Sequence, residues 1–177
     1  MTRRVWVCCA LAVLAAGALV RAADNLRIVP VVGDKQVLVS VELADAYTDE
    51  VRQAIASGLK TTFTYDVELR MYVPAWVDRT VASVVVTTSD QYDNLTRRHT
   101  LSRAVDGRVE DALVTEDETV VRRWLTMINR LTVCQTSKLD ASRDYYVRIT
   151  ARARPRGASI LGLASAITGQ AKFTFIP

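Results

Sequence analysis

Residues 62–73 read TFTYDVELRMYV, in which Phe63, Tyr65, Val67, Leu69, Met71 and Val73 alternate without interruption with Thr62, Thr64, Asp66, Glu68, Arg70 and Tyr72. Side chains of a strand point to opposite faces in turn, so this spacing predicts a strand with one wholly apolar face and one mostly polar face. A helix would scatter the same residues around its circumference. One covered and one wet side is the signature of an antiparallel sheet. Pro74, which has no N–H to give to a ladder, ends the run.

Upstream, residues 26–32 and 36–43 are β-rich runs separated by Gly33-Asp34-Lys35, which predicts a hairpin. Thr48 followed by Asp49 and Glu50 reads as a helix cap with acids in the first turn, and Gly58 suits the left-handed close of a short helix. Downstream, residues 81–88 are strongly β-branched. Residues 89–94 read as a turn by composition, residues 95–105 as a second extended piece, and Asp106-Gly107 as a type I′ turn into residues 108–114. Thr115 with Glu118 three positions on forms a capping box, which predicts a helix over residues 116–129 with Val120, Val121, Trp124, Leu125 and Ile128 on one side. Residues 131–135 are either a short strand or the end of that helix.

The best strand of the C-terminal half follows a polar turn at residues 140–144. In it Tyr145, Val147, Ile149, Ala151 and Ala153 alternate with Tyr146, Arg148, Thr150, Arg152 and Arg154 as far as Pro155. Residues 157–171 carry no charge, and Ile160, Leu163, Ala164 and Ile167 stand at helical spacing, either as a buried helix or as an exposed patch for lipid or protein. Residues 172–176 read as a closing strand. The fold class expected is mainly β with helices (α+β): an antiparallel β-sandwich or strongly curved sheet of about seven strands, one good helix and one or two short ones.

The chain begins with Arg3 and Arg4, an uncharged run over residues 5–20, and Val20-Arg21-Ala22. This is the pattern of a secretory signal peptide over residues 1–22, followed by a single β-rich domain over residues 23–177. The apolar run falls short of the roughly 20 residues that span a bilayer, so a cleaved signal fits better than a retained anchor. Cleavage removes three arginines from 23 basic residues and leaves 20 against 19 acids, a net charge of +1. That balance argues against a nucleic-acid partner. Cys134 is then the sole cysteine, which excludes an intrachain disulfide framework, and a lone His99 with a lone Cys134 cannot supply the nitrogen and sulfur ligands of a zinc site.

The order of features resembles a bacterial family of exported proteins known only by a domain of unknown function. The resemblance is carried by the signal peptide, residues 38–43, the helix ending at Gly58 before residues 63–67, Trp76, residues 92–98 (YDNLTRR), the helix with Trp124, and Tyr145-Tyr146-Val147-Arg148. It implies periplasmic or cell-envelope localisation. In proteobacterial members the gene often lies beside one for a nitrogen-regulation-type sensor kinase, which implies an accessory role in sensing.

For chemistry, Cys134 and His99 fall on different expected elements, and Asp49-Glu50 and Glu116-Asp117-Glu118 sit at helix starts, where acids serve caps and dipoles. No phosphate-cradling glycine loop occurs. The sequence therefore reads as a binding module with no cofactor and no metal, not an enzyme. A carrier of lipid or a small hydrophobic ligand is the alternative, and a hydrolase comes behind both. The candidate binding residues are Arg148, Arg152 and Arg154, in a row along one face of their strand, with Arg97 and Arg98 on another extended stretch that joins them if the two strands adjoin. A guanidinium row of this kind suits an acidic envelope protein or an anionic lipid. The competing expectation pairs the same arginines with Asp66 and Glu68 across strands, with no function attached.

Overall fold

In a computed structural model the protein is described over residues 25–155 and 166–175. The opening stretch forms the strand its alternation predicts, β3 (Thr61–Met71), after the hairpin β1 (Leu26–Gly33) and β2 (Gln36–Leu43) and the helix α1 (Asp49–Ala56). There follow β4 (Arg79–Asp93), β5 (Arg98–Val105), β6 (Arg108–Thr115), α2 (Glu118–Thr126), β7 (Met127–Gln135), β8 (Tyr145–Pro155) and β9 (Ile167–Phe173). They build two antiparallel sheets, one of three strands in the order β1-β2-β7 and one of six in the order β6-β5-β4-β3-β8-β9. Strand β3 sits inside the larger sheet, which is why its sequence shows the two-residue period so cleanly.

The apolar face of β3 (Phe63, Tyr65, Val67, Leu69) and its neighbours Val86, Leu101, Val147 and Ile149 are fully buried. They share one core with Val37, Val39 and Val41 of the small sheet, Val51 and Ile55 of α1, and Val121 and Leu125 of α2. The smaller sheet and both helices thus cover one face of the larger sheet, an α+β sandwich. No helix among the described residues is long and apolar enough to cross a membrane. Among the described residues, the interface between the layers holds side chains as bulky as Tyr65 and Phe63.

Several local expectations need correction. Residues 89–94 are not a turn: β4 continues to Asp93, and the reversal comes at residues 94–97. There the Asp93 carboxylate accepts from the Leu95 N–H at 2.8 Å and the Thr96 hydroxyl at 2.9 Å, and Arg97 takes a left-handed φ of 56°. Ser89 and Asp90 look turn-like by type, but Asp90 is buried inside the sheet, where Oδ2 bonds to His99 on the next strand. Helix α2 starts later and ends earlier than residues 116–129. Its cap is Asp117, which accepts from the Thr119 N–H at 2.8 Å, whereas Thr115 accepts from the Asp117 N–H at 3.0 Å.

The early end of α2 has a physical cause. The Leu125 carbonyl accepts from Tyr65 at 2.6 Å and from Thr88 at 3.2 Å, while Arg103 donates to the Trp124 and Met127 carbonyls at 3.4 and 3.3 Å. Side chains of β3, β4 and β5 therefore satisfy carbonyls that a further helical turn would otherwise have satisfied, and Met127 goes straight into β7. At the C-terminus the expected helix over residues 157–171 lies largely outside the described residues, but Ile167 to Ala171 belong to β9, paired with β8. Gly169 lies under Leu26 of β1: a Cβ there would meet the Leu26 side chain at 3.1 Å, so this position accepts only the smallest residue without a shift. The signal peptide expected over residues 1–22 lies outside the described residues.

Candidate functional site

The outer face of the larger sheet is set by strand register. Arg70 of β3, Tyr146 of β8 and Lys172 of β9 form one row; Glu68, Arg148 and Gln170 the next; Asp66, Thr150 and Thr168 the third. Thr64 then faces Arg152, and Thr62 faces Arg154. Alternation thus puts Arg148, Arg152 and Arg154 at positions of one face.

The arginines differ in what they touch. Arg152 reaches diagonally to Asp66 and bonds its carboxylate. Glu68 is engaged from its own strand by Arg70, at 3.5 Å. With both carboxylates engaged, Arg148 and Lys172 make no ion pair among the described residues. Instead the Arg148 guanidinium lies 5.9 Å from the centre of the Tyr146 ring, within cation–π reach.

Beside them opens a cleft of about 640 Å³ whose lining includes Tyr72, Asp78, Asp144, Tyr146, Arg148 and Lys172. Its rim is fixed by hydrogen bonds. The Tyr72 N–H donates to the Asp144 carbonyl at 2.9 Å, which ties the end of β3 to the start of β8. Tyr146 donates its hydroxyl to Asp78 Oδ2 at 2.7 Å, and the Val73 N–H donates to Asp78 Oδ1 at 3.1 Å. These two bonds, the first above all, hold the Asp78 carboxyl below its ordinary range, and the nearby Arg70 and Arg148 charges act in the same direction. Tyr146 is buried, and burial followed by the bond to Asp78 pushes its phenol up. The cleft therefore presents a fixed carboxylate, the exposed Asp144 and two cations that make no ion pair among the described residues. Sequence reasoning found Arg148 but missed Lys172 and Asp78, because only the pairing of β9 with β8 and the loop before β4 bring them to the same place.

Arg97 and Arg98 lie elsewhere. They belong to the β4–β5 hairpin, where Arg98 pairs with Glu116 at 3.1 Å, and β4 and β3 separate β5 from β8. Arg103 faces inward, its guanidinium 4.5 Å from the centre of the Trp124 ring.

A second titratable pair sits in the interior: His99 Nδ1 lies 2.9 Å from Asp90 Oδ2, Tyr92 packs against the imidazole with ring centres 4.6 Å apart, and Asp90 Oδ1 has no partner among the described residues. Cys134 is buried in β7 of the small sheet, whereas His99 lies in β5 of the large one, and burial pushes the thiol pKa up, away from a reactive thiolate. Among the described residues no cluster of three or more histidine, cysteine or carboxylate side chains could hold a metal ion.

Neither a curated protein nor a solved structure matches the sequence. A family model, Domain of unknown function (DUF4390), matches residues 22–156, more than half of the chain and every strand up to β8. The protein whose outer sheet face carries Arg148 and its cleft therefore belongs to the DUF4390 family.

Proposed function

We propose that this protein is an exported module of the cell envelope that binds and does not catalyse, and that Arg148 and Lys172 hold an anionic group of an acidic envelope protein or an anionic lipid. The observation that carries this reading is the division of labour on the outer face. Arg152 and Arg70 use the carboxylates of Asp66 and Glu68, and Arg148, beside the cleft, makes no ion pair among the described residues. A guanidinium in that state offers several donors in a planar fork to a carboxylate or phosphate oxygen. Export rests on the basic start, the apolar run over residues 5–20 and the small residues that follow.

The test is charge reversal. Arg148→Glu combined with Lys172→Glu should abolish recovery of the partner from envelope extracts, whereas Arg97→Glu with Arg98→Glu should leave it intact. Binding by the parent should weaken as salt rises, because exposed charges are screened over about 8 Å at physiological ionic strength. Partner recovery by the Arg148/Lys172 variant at the parental level, with the same salt dependence, would remove this reading.

A further inference from the structure

The charges around the cleft do not add up to a simple anion trap. Arg148 and Lys172 rise from the sheet as diagonal neighbours on β8 and β9, about 7 to 8 Å apart at the backbone. Asp78, from the loop before β4, and Asp144, just before β8, line the same cleft. Two cations thus face two carboxylates, and the exposed ring of Tyr72 lines the space with them. The two acids are not equivalent. Asp78 Oδ2 and Oδ1 already accept from Tyr146 and Val73, which fixes it as part of the wall, whereas Asp144 contributes its backbone carbonyl to the rim and its side chain is left to the cleft.

A group bearing only negative charge would be drawn to Arg148 and Lys172 but repelled by Asp78 and Asp144. A group bearing only positive charge meets the reverse. The arrangement favours a ligand with both signs on neighbouring atoms. From this geometry we propose that the cleft binds a small α-amino acid zwitterion, its carboxylate on Arg148 and Lys172, its ammonium toward Asp144 and Asp78, and its side chain against Tyr72. The inference rests on the proposed role of Arg148 as an anion holder and adds a small free ligand to the envelope partner proposed above. A planar carboxylate suits the two-pronged guanidinium, and a cleft of about 640 Å³ lies within the range of small-molecule sites.

Three probes that share one side chain separate the terms: L-phenylalanine, which carries both charges; N-acetyl-L-phenylalanine, only the negative one; and L-phenylalanine amide, only the positive one. Each is titrated at pH 6 into the protein followed by backbone amide NMR. L-Phenylalanine should shift the amides of Tyr146, Arg148 and Lys172, and each single-charge probe should bind at least tenfold more weakly. Asp144→Asn should weaken L-phenylalanine and strengthen N-acetyl-L-phenylalanine, and Arg148→Gln should weaken both; the amide spectrum of each variant reports its fold.

Equal binding of L-phenylalanine and its N-acetyl derivative would overturn the zwitterion and leave the anion site standing. Absence of cleft shifts with all three probes, while Arg148→Glu with Lys172→Glu still loses the envelope partner, would likewise overturn this inference alone. Absence of shifts together with an unaffected partner would overturn both.

Discussion

Asp90 is enclosed in β4 with one oxygen on His99 and the other without a partner. Burial raises its carboxyl pKa, against the opposing hydrogen bond and charge of His99. A carboxyl whose pKa is raised on folding favours the folded state below its unfolded value, about 3.9, and that contribution is lost as pH rises through the folded value. The carboxylate form is therefore a liability of the neutral-pH fold. Asp90→Asn keeps the shape and a hydrogen-bonding oxygen but removes the titration, so its stability relative to the parent should rise between about pH 4 and pH 7. Urea denaturation at the two pH values measures this; a difference that stays constant or falls would show that His99 compensates the charge in full. The sequence offered no sign of this pair, since Ser89-Asp90 matches a turn by residue type and only the partner on β5 makes burial tolerable.

At the scale of elements, helix α2 shows how a short motif can be nearly right. Thr115 and Glu118 have capping-box spacing, yet the cap is Asp117, whose Oδ1 accepts from both the N–H and the hydroxyl of Thr119. Asp117→Ala should cost about 1 kcal/mol, the usual cost of a lost N-cap, and Thr115→Ala roughly half of that or less, since Thr115 braces the turn before the helix. Thermal or urea denaturation of the two variants decides the order, and a larger loss at Thr115 would restore it as the cap. The other end of α2 was not legible at all. Its apolar stripe runs on through Ile128, and nothing in that stretch announces that Tyr65, Thr88 and Arg103, all distant in sequence, take over its last carbonyls. Strands β3 and β8 were legible because each lies inside the six-stranded sheet with one face fully covered, which impresses a strict period of two on the residues.

For the molecule as a whole, one face of the larger sheet builds the core, and the proposed binding role belongs to the other. The arginine row could be read from alternation, but not which of its members are spoken for. That depends on the diagonal from Arg152 to Asp66, on Arg70 claiming Glu68 along its own strand, and on β9 bringing Lys172 beside Tyr146. Arg97 and Arg98 join the row only if their strands adjoin, and an extended stretch gives no hint of which strands will stand between it and β8. Arg152 is thus a structural cation, and Arg148 pairs with no carboxylate among the described residues. Double-mutant cycles by urea denaturation compare the two directly, with Arg152→Gln and Asp66→Asn in one cycle and Arg148→Gln and Glu68→Gln in the other. A coupling of about 0.2 to 1 kcal/mol is expected for Arg152 with Asp66 and none outside error for Arg148 with Glu68. A coupling between Arg148 and Glu68 as large as the first would make the whole row an ion-pair ladder and contradict the claim.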